Sequence, residues 1–572
     1  MNKIFITTLL FIGLVSCKSE DSTGSKENKA AKNKKAESEK KITKRDRSIT
    51  PANAYNDIFL DSLEMEKFIT VNQLNDTIIR RMRSFYNARN YQYAWFASDG
   101  LTEQSRAFWN LQSYYHTVNK GSAENGKALI ASMDRLELIE DLKVSAADKN
   151  ILKTEFLLTQ HFIQYVLDNY EDGIVKRKEL ERFIPLFKSD PLRLADSLLT
   201  KKHKDGKYYE DDNTAYKALK GQLQKYYAIA KSGGWQMIPS DKRSLKIGAA
   251  SPTVFLLKKR LQATGEMGAD STNVFNTSLE NAVKTYQTGL GLTPDGIVSE
   301  TLIKSMNVPA VTRVQQILIN LDRMRWMPVP EGNLILVNIP EFVLHVFEGK
   351  KKAFQMAVVV GKEGHNTMMF KGDLSQVVFS PYWNLTPTII KEEIMPAMAR
   401  DPNYLANHNM EITSSGGGTP VIRQLPGEEN SLGKVKFLFP NSFNIYFHDT
   451  PAKSLFSKDK RAFSHGCIRL SEPTKMAQYI LRNSPEWTPE KINAAMNTGK
   501  EQFVKVKNPI PVIITYYTAW VDENGLLNFR DDIYKHDQHI AGKMFMNMPG
   551  IEVKTPGKAT ASLSASARKK NA

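Results

Sequence analysis

The hydrophobic pattern of this chain changes period once, near residue 334, and that change limits the fold more than any other feature. Before it, apolar residues recur at helix-like intervals. Beyond it, residues 334–339, 343–347, 357–360, 376–380 and 445–448 are short runs rich in β-branched and aromatic side chains, with turns between them. Residues 511–518 add a late strand. A chain of 572 residues exceeds what a single core supports, so the two patterns imply separate domains in an α+β multidomain protein. About 60 residues, including a helical stretch at 388–400, interrupt the β-rich part, and an insertion of that length is more often functional than idle.

Helical patterns run from 54 to 239. Tyr86, Tyr91, Tyr93, Trp95 and Phe96 cluster early, Phe156, Phe162 and Tyr165 follow, and all read as core. Residues 213–230 form an amphipathic helix stopped by Gly233-Gly234. Residues 248–307 make a compact unit: Val254, Leu257 and Leu261 share one helical face, and Leu279, Ala282, Val283 and Tyr286 share another. Pro294-Asp-Gly296 turns, and Ser299 caps a third helix.

Both ends are polar. Lys3 precedes an apolar run from Ile4 to Val15 that ends in Leu14-Val15-Ser16-Cys17. This reads as a lipoprotein signal peptide over 1–17, with Cys17 as the lipidated residue and the only membrane anchor. Residues 18–53 read as a disordered tether able to hold the body roughly 30 Å from the membrane. About half of the formal charge of +17 sits at the ends: residues 18–50 hold 11 Lys and Arg against 6 Asp and Glu, and the basic tail 555–572 holds no acid. No nucleic-acid module accompanies that charge, so no nucleic-acid partner is expected.

The chemistry centres on Cys467, the one cysteine left once Cys17 is assigned to the signal. An exported protein that keeps a single oxidisable thiol is more often using it than packing it. His448 ends a strand nineteen residues earlier and His465 lies two before the thiol, so either could serve as its base. One cysteine and scattered histidines do not make a structural zinc site, and no metal or cofactor is expected.

Tyr446-Phe-His448-Asp-Thr-Pro451 followed by Ser464-His-Gly-Cys467-Ile-Arg469 resembles the signature of L,D-transpeptidases, the cysteine enzymes of peptidoglycan cross-linking. Tyr382-Trp-Asn-Leu-Thr-Pro387, Asn430-Ser-Leu-Gly433 and Lys436-Phe437 through Phe439-Pro-Asn441 are similar to the large YcbB-like branch. Tyr286-Gln287, Gly291-Leu292 and Asp295-Gly296 resemble the marks of a three-helix peptidoglycan-binding module. The resemblance implies a mostly helical scaffold domain (54–245), a peptidoglycan-binding-like domain (248–307) and a β-rich catalytic domain (332–518). That last domain would carry an inserted helical lid at about 388–440, with a C-terminal extension over 519–554.

It also implies roles. Cys467 would be the nucleophile and His448 its base, with the imidazole oriented by backbone rather than by the Asp449 carboxylate. Ser464, His465 and Gly466 would shape the turn, its N–H groups and that of Cys467 forming an oxyanion hole. Arg469, Tyr446 and Trp383 would contact substrate. The implied partners are peptidoglycan stem peptides as donor and acceptor, joined by 3→3 cross-links, in an envelope lipoprotein of the outer membrane facing the periplasm. An L,D-carboxypeptidase, an enzyme attaching stems to protein, and a non-catalytic wall-binding lipoprotein are the competing readings.

Overall fold

Alternation along the strands decides which side chains of the C-terminal half meet its core. The computed structural model describes residues 42–118, 127–137, 139, 142–169, 183–200, 213–240, 244–326, 332–414 and 418–546. Nine strands form the main sheet: β1 (Asn333–Asn338), β2 (Val343–Glu348), β3 (Lys351–Gly361), β4 (Lys371–Phe379), β5 (Val435–Leu438), β6 (Phe447–His448), β7 (Ala462–Ser464), β8 (Ile468–Leu470) and β9 (Gln502–Thr515). Their order is β7-β3-β8-β6-β5-β4-β9-β1-β2, and β2 pairs back onto β3, closing eight strands into a barrel. Ile335, Val337, Leu344, Val346, Val358, Val360, Phe437, Phe447, Ile468 and Leu470 fill it. Met476 and Ile480 of helix Pro473–Leu481 and Ile492 of helix Pro489–Met496 join the same core. With only two residues, β6 makes few ladder bonds. Burial of Phe447, worth about 1.5–3 kcal/mol, holds it in place.

The insertion between β4 and β5 holds more than the helical lid that the sequence suggests. It does contain helices at Pro387–Ile389 and Met395–Arg400, joined by a π-helical turn at Ile390–Ile394. It also folds a three-stranded antiparallel sheet from Trp383–Asn384, Val421–Gln424 and Met410–Ser414. These strands are short, and Glu411, Thr413 and Arg423 make them largely polar, which hides them from a hydrophobic pattern. Leu385, Ile389, Ile390, Ile394 and Ile422 give the lid a small core of its own. Asn430 closes the neck: its side-chain amide donates to the carbonyls of Pro381 at 3.1 Å and Leu425 at 2.9 Å, one on the entering and one on the leaving chain.

The helical part has two cores. One gathers helices Ser62–Val71, Asp76–Ala88 and Lys149–Asn169 around Tyr86, Trp95 and Phe162. The other packs Pro191–Thr200 and Thr214–Lys231 against Ala310–Met324, a helix that follows the three-helix module and that the sequence pattern left unassigned. The C-terminal helix His536–Met544 joins this second core. The expected tether does not reach residue 53, and its residues 18–41 lie outside the described residues. Residues 42–53 pack on the helical domain, with Ile49 fully buried and the Asp46 N–H bonded to the Asn87 carbonyl at 2.9 Å. Cys17 and the basic tail lie outside the described residues.

Helices Pro252–Thr264, Thr277–Gly289 and Glu300–Met306 form the small module, each started by a side-chain cap from Ser251, Asn276 or Ser299. The module rests on the C-terminal hairpin, where Arg530 donates to the Gly289 carbonyl at 2.8 Å. Among the described residues no helix is long and apolar enough to cross a membrane.

Candidate active site

β6 and β8 lie parallel, with Phe447 opposite Ile468 and His448 opposite Arg469. Because Phe447, Ile468 and Leu470 point into the core, alternation turns Tyr446, His448, Cys467 and Arg469 to the outer face. On the other side of β6, Lys436 of β5 stands opposite His448. A row of Lys436, His448 and Arg469 therefore crosses three strands, with Cys467 and Tyr446 next along.

His448 Nδ1 lies 2.5 Å from the Asp449 carbonyl oxygen. A carbonyl can only accept, so Nδ1 carries the proton and Nε2 keeps the free lone pair. Burial first and the Arg469 charge second push this imidazole down to about 3, with Lys436 adding to them and Asp449 opposing. Burial pushes the Cys467 thiol up to about 11, opposed by hydrogen bonds from the Tyr446 backbone and hydroxyl and by the Arg469 charge. The resting site thus holds a neutral thiol and a neutral base. The Asp449 carboxylate is occupied elsewhere, accepting from the Lys434 N–H at 2.9 Å, the Thr450 N–H at 2.7 Å and Lys453 Nζ at 2.5 Å.

The turn before the thiol is tied internally. Ser464 Oγ accepts from the Gly466 N–H at 3.1 Å and donates to the Cys467 carbonyl at 2.5 Å. Gly466 has φ +111°, a conformation that favours glycine. Its N–H is committed to Ser464 Oγ and so is not free to serve the oxyanion hole expected of this turn. Two residues that sequence reasoning missed brace this turn. Thr367 Oγ1 donates to the Gly466 carbonyl at 2.7 Å and accepts from the Gly361 N–H at 2.9 Å. The Tyr534 hydroxyl donates to the Gly361 carbonyl at 2.6 Å and accepts from the Thr367 N–H at 3.2 Å. No local signal marks either, since each acts on a partner far away in the chain.

His465 faces the lid: its Nε2 sits 2.7 Å from Glu393 Oε1 in the π-helical turn, and its ring lies 4.9 Å from that of His365. Arg469 is half-buried, its Nε enclosed without a hydrogen-bond partner. Trp383 is grouped with the lid rather than with the thiol. It pairs with Gln424 and packs against the lid core.

Family models match the chain in three places: "L,D-transpeptidase catalytic domain" over residues 332–512, "Scaffold domain" over 80–223 and "Putative peptidoglycan binding domain" over 250–306. The chain carries an L,D-transpeptidase catalytic domain. A curated relative from Haemophilus influenzae, described as "Putative L,D-transpeptidase", is 32% identical over 242 residues, covering 40% of this chain. The match spans about half of that relative's length, 49%. Solved structures with some likeness include an L,D-transpeptidase from Stackebrandtia nassauensis, at 13% identity over 49% of this chain and 97% of that one, with a TM-score of 0.22. Another, from Mycobacterium smegmatis, is 15% identical over 32% of this chain and 58% of that one, with a TM-score of 0.18. Superpositions that loose add nothing to the assignment. The L,D-transpeptidase domain includes β1 to β8, the lid and most of β9.

Proposed function

We propose that this chain is a cysteine acyltransferase that joins peptidoglycan stems by 3→3 cross-links. The observation that carries the reading is the β6–β8 register, which gathers Cys467, His448, Tyr446 and Arg469 on one outer face. His448 Nε2 takes the thiol proton as Sγ attacks the carbonyl of the third residue of a tetrapeptide stem. The N–H groups of His465 and Cys467 meet the oxyanion, each such donor contributing about 3–4 kcal/mol. Collapse breaks the C–N bond, and His448 returns the proton to the departing D-alanine amine. In the second half, the side-chain amine of a diamino acid on a neighbouring stem attacks the thioester, and its proton passes through His448 back to sulfur. The lid restricts water, which would otherwise release a tripeptide.

The module at 250–306 would hold the wall near this site, and its Thr293 hydroxyl donates to Asp459, five residues before Ser464, at 3.0 Å. Lipidated Cys17 would anchor the protein in the outer membrane, facing the periplasm.

The test is intact mass spectrometry of the full chain with disaccharide-tetrapeptide. An adduct lacking D-alanine, absent in Cys467→Ser, together with a cross-linked dimer is the expected result. An adduct that resolves only to tripeptide would indicate a carboxypeptidase, and no adduct at all would indicate a wall-binding protein.

A further inference from the structure

Two cations flank His448, and they differ in how they are neutralised. Lys436 Nζ lies 3.5 Å from Glu501 and donates to the Tyr382 carbonyl at 3.3 Å. Glu501 in turn accepts from the Tyr382 N–H at 3.0 Å, so this cation is part of a closed structural network. Arg469 has no such partner: among the described residues no carboxylate pairs with it, and its Nε is enclosed and unbonded. Its neighbours on the outer face are His448, the Cys467 thiol and the Tyr446 phenol, none of them an anion at rest. Burying a guanidinium without a counter-charge is costly, and an apolar side chain on this strand would pack at less expense. A charge retained against that cost, two residues from the nucleophile, points to an anion that arrives with the substrate.

We infer that Arg469 is the receptor for the carboxylate that ends the tetrapeptide donor stem. The inference rests on the acyl-transfer reading above. In a tetrapeptide donor, the terminal carboxylate carbon is three bonds from the scissile carbonyl carbon, about 4 Å away. Cys467 immediately precedes β8 and Arg469 lies within it, two residues apart in near-extended chain and so roughly 6.6 Å between Cα atoms, within reach of an arginine side chain. A planar guanidinium matches a carboxylate through two parallel N–H bonds, a fit that a lysine would not reproduce. A stem with one more residue would place a neutral amide where the carboxylate belongs and leave Arg469 unpaired.

The receptor also bears on the base. A substrate carboxylate beside His448 would by itself favour the imidazolium. Paired with Arg469 it is neutralised, and His448 stays free to accept the thiol proton.

The experiment compares three donors on the full chain: disaccharide-tetrapeptide, the same compound with its terminal carboxylate converted to a carboxamide, and the disaccharide-pentapeptide. Acyl-enzyme formation is followed by intact mass, and the departing amine is quantified. The wild type should favour the free tetrapeptide over both others by at least about 100-fold in kcat/KM. Arg469→Gln should lose most activity on the free tetrapeptide and little on the carboxamide, bringing the two within about threefold. Arg469→Lys should keep part of the preference. Alkylation of Cys467 by iodoacetamide, a neutral reagent, checks that each variant retains the site. Equal use of the free and amidated donors by the wild type overturns the inference and leaves the acyl-transfer reading standing. An equal loss on both donors in Arg469→Gln also overturns it, by making the residue a general contact. Acylation by none of the three donors removes both readings.

Discussion

His448, pushed down to about 3, and Cys467, pushed up to about 11, meet at neutral pH as an uncharged pair. A site of that kind should show no histidine titration across the neutral range. The rate of acyl-enzyme formation is expected to be flat between about pH 5 and 8, where an ordinary imidazole would produce an inflection near 6.5. Single-turnover mass measurements across that interval decide it, and a sigmoid centred near 6.5 would show that the base is not held neutral. Cys467 and His448 were legible in the sequence because a lone thiol, in a chain read there as exported, and a motif both mark them. Arg469 was legible as a residue but not as an unpaired charge, since that property depends on which carboxylates fail to reach it. Thr367 and Tyr534 were not legible at all: their partners lie 99 and 173 positions away.

At the scale of elements, the lid neck and the base share one tight place. Gly433 has φ +62°, and a Cβ there would collide with the Asp449 side chain, next to the carbonyl that orients His448. Gly433→Ala is expected to cost about 2–4 kcal/mol, from the left-handed backbone and the overpacking together, and to slow acylation by displacing Asp449. Thermal melting read alongside the acylation rate tests this; an unchanged melting temperature would mean the neck yields freely. The motif residues Asn430 and Gly433 stood out in the sequence only by resemblance. Their physical work is to fasten the lid entrance to its exit and to clear room for Asp449. Most of the main strands were legible because a closed barrel demands clean alternation, as at Leu344 and Val346, whereas β5, β7 and β8 are too short to show it. The lid strands escaped because a small satellite core needs few apolar positions.

At the scale of the whole molecule, the helical and catalytic parts are joined by charge as well as by packing. Arg323, on the helix that follows the small module, pairs with Glu103 of the helical domain and with Asp537 of the C-terminal helix, the latter at 2.5 Å. All three side chains are largely buried, with exposures of 6%, 15% and 13%. The helix at Ala310–Met324 was left unassigned in the sequence, and the partners it meets are contributed by distant segments. Arg323→Met removes the cation and leaves two nearly buried carboxylates close together, which should destabilise the protein by about 3–5 kcal/mol. The pH dependence separates this cause from lost packing. Desolvation already raises the Asp537 carboxyl in the wild type against the opposing Arg323 charge, and in the variant that opposition is gone, so its folded-state pKa lies further above its unfolded value. The penalty is then fully present above that raised value and fades as pH falls through it toward the unfolded value, because the folded state takes up the proton more readily. The drop in melting temperature should therefore be larger at pH 8 than at about pH 4.5, whereas a drop of equal size at both would assign Arg323 to packing alone.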